Sequence, residues 1–116
     1  MTTDSVVLHE DSLCRIEQST HPSGLRLYGS LGGDARPILE RELDEALRDG
    51  RDLYVDLSHI DFVSVGCMRT LMDAAAYLQL DGCRLLLLGP NPAVRRIIAI
   101  CQQTGPRNVE VLPCPT

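Results

Sequence analysis

The sequence has no tryptophan and one phenylalanine, and aromatic residues make up 3% of its 116 positions. Single-stranded nucleic acid is gripped by stacking bases on aromatic rings, so that mode of binding is disfavoured. Positive charge is also sparse. The formal net charge is -5, and no basic cluster is larger than Arg95-Arg96. The concentrated positive face that nucleic-acid binding requires is therefore missing. No apolar run approaches the roughly 20 residues needed to cross a bilayer. The first stretch, MTTDSVVLHEDSL, carries acids and no basic segment, which does not fit a secretory signal. A cytoplasmic protein with no direct membrane insertion is the expectation.

Catalytic signatures are absent too. The cysteines are Cys14, Cys67, Cys83, Cys101 and Cys114, an odd number with no CxxC pair. Neither a zinc site nor a disulfide framework is expected from that spacing. Three of the five stand where a small apolar residue would serve, as suits a reducing compartment. None of His9, His21 and His59 has a histidine or cysteine partner at i, i+4, which argues against a helical ligand set. The glycines of GSLGGD match neither GxGxxG nor GxxxxGKS, so they read as a flexible turn into a helix. Cys67 falls on an apolar stripe, where a buried thiol is inert. The chain reads as no enzyme, with no metal and no cofactor.

The pattern that is present is a regular alternation. SVVLHE, LCRIEQ and GLRLYGSL read as N-terminal strands, the second and third joined by a hairpin around Pro22-Ser23-Gly24. In DARPILERELDEALRDG, Ile38, Leu39, Leu43, Ala46 and Leu47 recur at helical spacing. Asp34 is the expected N-cap, Pro37 falls in the first turn, and Gly50 stops the helix. Its outer face is charged, with Arg41/Glu45 and Asp44/Arg48 at i, i+4. LYVDLSHI is a central strand with Leu53, Val55 and Leu57 on one face, and His59 is expected in the turn after it. A second helix then runs to about Leu80, its stripe made by Cys67, Leu71, Ala74, Ala75 and Leu78. CRLLLLG suits a strand covered on both faces. Asn91 with Pro92 starts a third helix, and NVEVLP is a last strand. The order is β-β-β-α-β-α-β-α-β, an α/β domain whose second half pairs in parallel through right-handed crossovers. One domain covers residues 1–116, with a core of about 5–113 and loose ends at 1–4 and 114–116.

One junction stands out. In DFVSVGCMRTL a strand gives way to a helix at Ser64. In open α/β sheets, functional sites gather outside the carboxyl ends of parallel strands. A helix start there offers unpaired N–H groups and about half a positive charge, which can hold a phosphate. Ser64 is thus either a helix cap or a place where phosphate is added and removed.

The stretch from Leu53 to Gly105 resembles the STAS domain, the fold of bacterial anti-sigma factor antagonists. Val55-Asp56-Leu57-Ser58, Gly66, Leu71, Gly82, Leu85, Leu87, Pro92, Val94 and Thr104-Gly105 fall in the places of that family's motifs. Gly29, Leu31 and Asp34 align roughly with its G-x-L-D approach to the first helix. The resemblance covers about residues 5–113. It implies a STAS fold with a mixed sheet of about five to six strands and three to four helices mainly on one face. It further implies a non-enzymatic module that binds an anti-sigma factor with a serine-kinase domain of the histidine-kinase-like ATPase type. Phosphorylation by that kinase at the first serine of D-S-S-G ends binding, and a phosphatase, of PP2C type, restores it.

Ser64 matches that phosphoacceptor by position. The implied docking surface is the Ser64 loop with Val63, Val65 and Gly66, the helix start with Met68, Arg69 and Met72, and Asp34. A monomer or weak homodimer is implied. This sequence departs from the family at three places: Val63 replaces the aspartate before the serine, Val65 the second serine, and Cys67 the leucine after the glycine. Degenerate loops of this kind keep a second reading open, that of an accessory subunit binding the ATPase of an ABC-type lipid transporter.

Overall fold

The computed structural model of the chain describes residues 5–20 and 23–113. Its elements are β1 (Ser5–Glu10), β2 (Cys14–Thr20), β3 (Ser23–Leu31), α1 (Arg36–Leu47), β4 (Leu53–Val63), α2 (Val65–Gln79), β5 (Leu85–Leu88), α3 (Pro92–Gln102) and β6 (Val109–Leu112). This is the element order that the sequence pattern implies. The six strands form one sheet in chain order, β1-β2-β3-β4-β5-β6. The first two pairings are antiparallel and the last three parallel. Consecutive parallel neighbours joined by crossovers of one hand carry all three helices to the same face. There Leu25, Leu27, Val55, Leu57, Leu85 and Leu87 meet Leu39 and Leu43 of α1, Leu71 and Leu78 of α2, and Val94 and Ile98 of α3.

The opposite face of the sheet is partly polar. Arg15 lies over the Tyr28 ring at 4.2 Å, and Tyr28 stacks on His59 with centroids 5.0 Å apart. His59 is therefore a strand residue and not part of a turn, because β4 runs on unbroken to Val63. β5 is buried on both faces, as its unbroken leucines require.

Several local details differ from the sequence pattern. Thr20 pairs with Ser23, so Ser23 and Gly24 belong to β3. The rest of the expected turn, His21 and Pro22, lies outside the described residues, as do the two expected loose ends at 1–4 and 114–116. Asp34 does not cap α1. It sits in a 3-10 turn, Gly33–Ala35, and the residue before α1 is Ala35, with no side-chain cap. The 3-10 turn takes over the capping work, because the Ala35 N–H already donates to the Gly32 carbonyl at 3.0 Å. The ion pairs on α1 also differ. Arg36 pairs with Glu40, Arg41 with Glu42 and Arg48 with Glu45.

The β1–β2 turn is closed by Asp11. Its Oδ1 accepts from the Leu13 and Cys14 N–H groups at 2.7 and 3.0 Å. The His9 hydrogen bond and these two N–H groups together hold the carboxyl down at about 2. Burial, and then the Asp11 charge, push the Cys14 thiol up from its ordinary value.

Asn91 does more than cap. Its Oδ1 accepts from the Val94 N–H at 2.9 Å, while its Nδ2 donates to the carbonyls of Ile60 and Asp61 at 3.1 and 3.3 Å. One side chain thus starts α3 and ties it to β4. Asn91→Ala is expected to cost about 1–2 kcal/mol, read as a lower midpoint in urea at unchanged slope.

Candidate functional site

Three loops converge at the carboxyl ends of the parallel strands, and Ser64 is in the middle one. Its N–H donates to the Leu31 carbonyl at 2.8 Å, closing the β3–β4 ladder. Its backbone is extended, with φ -66° and ψ 157°, and its Oγ accepts from the Cys67 N–H at 3.2 Å. Its carbonyl takes the first helical bond, from Met68 N–H at 2.9 Å. Ser64 is therefore the N-cap of α2, half-buried, at the dipole's positive end.

The neighbouring loops are fastened to it. The Cys67 thiol donates to the Gly32 carbonyl at 3.3 Å, joining the start of α2 to the loop that carries Asp34. Buried and so engaged, Cys67 is no nucleophile, as its stripe position implies. Asn91 joins the third loop to the end of β4.

Two apolar side chains stand out of this shelf. Phe62 is 49% exposed and Val65 52% exposed. Asp34 and Arg69 are exposed as well. Gly66 has helical backbone, so its conformation does not demand glycine. A Cβ there would meet Cδ and Nη1 of Arg36 at 3.7 Å. Arg36, at the head of α1, thus lays its guanidinium beside the first turn of α2, where Glu40 Oε1 accepts from its Nε at 2.9 Å.

Three of the residues expected on this surface are absent from it. Val63 and Met68 are fully buried, and Met72 is 5% exposed. The strand alternation that turns Phe62 outward turns Val63 into the core. Met68 and Met72 are covered because α2 lies between α1 and α3 and packs on both as well as on the sheet. Its buried surface is therefore broader than one stripe, and Thr70 is buried too, donating its hydroxyl to the Gly66 carbonyl. The exposed set is Asp34, Arg36, Phe62, Val65 and Arg69 around Ser64 and Gly66. Sequence reasoning missed Arg36 and Phe62. The signal for Arg36 was its place at the start of a helix that follows a parallel strand, the same end of the sheet as Ser64.

A larger groove of about 470 Å³ runs elsewhere, between α1 and α2, with Glu40, Asp44, Asp73 and Tyr77 among its lining. Its charged lining is three acids against one base, Arg48, and it does not include Ser64.

A family model described as "Mlab, STAS domain" matches residues 14–105. The chain belongs to the STAS family. As a STAS domain it is an interaction module, and the six-stranded sheet with three helices is that fold. The fold is similar to the NMR structure of the protein TM1081, with a TM-score of 0.62, 15% identity, and coverage of 98% of this chain and 91% of that one. No curated protein matches the chain. Among the described residues, no helix is long and apolar enough to cross a membrane.

Proposed function

We propose that this STAS domain is an anti-sigma factor antagonist that docks through the Ser64 shelf and is switched by a phosphate on Ser64. The observation that carries the reading is the position of the Ser64 hydroxyl. It lies at the N-terminus of α2, with the exposed residues Phe62 and Val65 close to it in the chain on either side. The partner is an anti-sigma factor whose histidine-kinase-like ATPase domain supplies the phosphoryl group from ATP. The Ser64 oxygen forms the new P–O bond, the bond between the β- and γ-phosphates breaks, and the hydroxyl proton passes to a base on the kinase. A PP2C-type phosphatase hydrolyses the ester. The chain itself performs no catalysis in this scheme and holds no cofactor.

The local chemistry supports such a switch. A phosphoryl group brings about -1.5 to -2 charges. The free N–H groups of α2 and the Arg36 guanidinium give that charge a place to rest. It would nevertheless put dense charge close to two exposed apolar residues, and a partner shaped to Phe62 and Val65 would lose them.

A second reading has its own support. Val63 is buried and Val65 takes the place of a hydroxyl, so the shelf is more apolar than a phosphoacceptor loop with flanking acid and serine. The family model's description, "Mlab, STAS domain", sits with this. In that reading Ser64 is a cap only, and the partner is the ATPase of an ABC-type lipid transporter.

The deciding experiment is a pull-down from native cytosol with Ser64→Ala and Ser64→Asp baits, partners identified by mass spectrometry. A histidine-kinase-like ATPase retained by alanine and lost with aspartate supports the switch. An ABC-type ATPase retained by both overturns it in favour of the second reading. Either way, Phe62→Ala should weaken capture about tenfold, because half-exposed aromatics within a docking surface are typical binding anchors. Its effect on unfolding should stay within about 1 kcal/mol. Loss of capture without loss of stability, measured by titration and by urea, places the contact at Phe62.

A further inference from the structure

Away from the shelf's centre, the β1–β2 hairpin gathers a second set of side chains. His9, Asp11 and Cys14 each offer a ligand atom, and these atoms all lie within 4.8 Å of one another. His9 Nε2 is 2.7 Å from Asp11 Oδ2, and Cys14 Sγ is 3.9 Å from the same oxygen. A tetrahedral zinc, with bonds of about 2.0 Å to nitrogen and oxygen and about 2.3 Å to sulfur, holds such atoms about 3.3–3.5 Å apart. Shifts on the order of 1 Å would close the set on an ion of that size.

Two features show that the set is built by the fold. The first is a bulge in β1. Val7 pairs with Glu17, and His9, not Leu8, pairs with Ile16. Without the irregularity His9 would face the opposite side of the sheet. With it, His9 comes to the face of Ile16 and hence of Cys14, two residues back along β2. Bulges commonly re-aim a side chain in this way. The second feature is the division of labour within Asp11. The turn needs only Oδ1, which takes both backbone N–H groups. Oδ2 is left on the side of His9 and Cys14, already oriented, as a supported metal carboxylate should be.

We propose that His9, Asp11 and Cys14 form a site for a divalent late first-row metal ion, zinc above all. The mixed nitrogen, oxygen and sulfur set suits zinc and excludes the all-oxygen preference of calcium and magnesium. Binding replaces the His9–Asp11 hydrogen bond: the proton on His9 Nε2 moves to Nδ1 by way of solvent so that Nε2 can ligate, and the Cys14 proton leaves to solvent as sulfur joins the ion. Three protein ligands leave a fourth position open. Asp11 and Cys14 also line a pocket of about 170 Å³ that reaches Gly32, Gly33 and Asp34. A water or a partner's side chain has room there. The site would thus sit at the flank of the loop that borders the Ser64 shelf, and its existence does not depend on what that shelf binds.

The test is a cobalt titration of the reduced, chelator-treated chain. Expected are one equivalent of Co²⁺, a thiolate-to-cobalt charge-transfer band in the near ultraviolet, the intense visible bands of four-coordinate cobalt, and displacement by Zn²⁺. Cys14→Ser should remove the charge-transfer band. His9→Gln, a change on a partly exposed edge strand, should weaken binding at least tenfold while the far-ultraviolet circular dichroism stays unchanged. Absence of a thiolate band in the native chain overturns the proposal. So does a band of equal strength and affinity in His9→Gln, which would assign the ion to other cysteines. If Cys14→Ser fails to fold, the His9→Gln titration decides by itself.

Discussion

Ser64→Asp should bind the docking partner roughly a hundredfold more weakly than Ser64→Ala, a difference of about 3 kcal/mol. The comparison is clean because the two substitutions act oppositely on folding. Aspartate is as good an N-cap as serine and is favoured at the positive end of α2. It should retain the hydrogen bond from the Cys67 N–H that Ser64 makes now. Alanine forfeits that cap and should cost about 1 kcal/mol of stability. The aspartate chain is therefore the more stable and the weaker binder, a pairing that a mere loss of folding cannot produce. Its weakness has a local cause. A carboxylate at position 64 must be desolvated against apolar contacts on the partner, a cost that Arg36, already paired with Glu40, offsets only in part. Titration calorimetry with the purified partner, beside urea unfolding of both chains, gives the two numbers. Equal affinities would reduce Ser64 to a helix cap and remove the switch.

Gly29→Ala should be the most damaging of the glycine substitutions around the first helix, at about 3 kcal/mol or more. Gly29 has φ +86°, a conformation that L side chains rarely adopt, and a Cβ there would stand 2.3 Å from the Leu13 carbonyl oxygen. The obstacle is backbone, which cannot swing aside as a side chain could. The left-handed conformation alone costs about 1–2 kcal/mol, and overpacking adds about 1–3 kcal/mol. Gly32→Ala, three residues on, is the control. Its φ is -78°, and nothing lies within 4 Å of its would-be Cβ. Replacing it should be neutral or stabilise by up to about 1 kcal/mol, through a less flexible unfolded chain. Thermal unfolding of the two variants should separate them by more than about 10 °C, given a few degrees per kcal/mol for a domain of this size. Equal melting points would mean that β3 bends without Gly29.

These two glycines show where a linear reading stops. GSLGGD looks like one flexible turn, yet Gly29 is a strand residue pressed against Leu13 and Gly32 is a free loop position. The difference lies at Leu13, in the β1–β2 turn sixteen positions before Gly29, and no local pattern reports it. The same holds at the candidate site. The serine at a strand-to-helix junction is legible, because a cap, a glycine and a change of period coincide within a few residues. Which neighbours join it is not. Val63 and Phe62 are both apolar, and only the register of β4 against β3 sends one inward and the other out. Met68 and Met72 read as available because a single stripe suffices for a helix with one neighbour, whereas α2 has two. His9, Asp11 and Cys14 escaped notice because their spacing is not helical. A hairpin with a bulge brings them together.

The sequence by itself determined the order of elements, the parallel half of the sheet, the unbroken burial of β5 and the caps at Ser64 and Asn91. Each depends on hydrophobic period or on a side chain bonding within three residues, interactions whose partners are neighbours in the chain. The tertiary structure alone decided which side chains surround Ser64, how wide the buried surface of α2 is, and that Arg36 reaches the α2 start. Those depend on surfaces supplied by other elements, whose distance in sequence carries no trace of their contact in space.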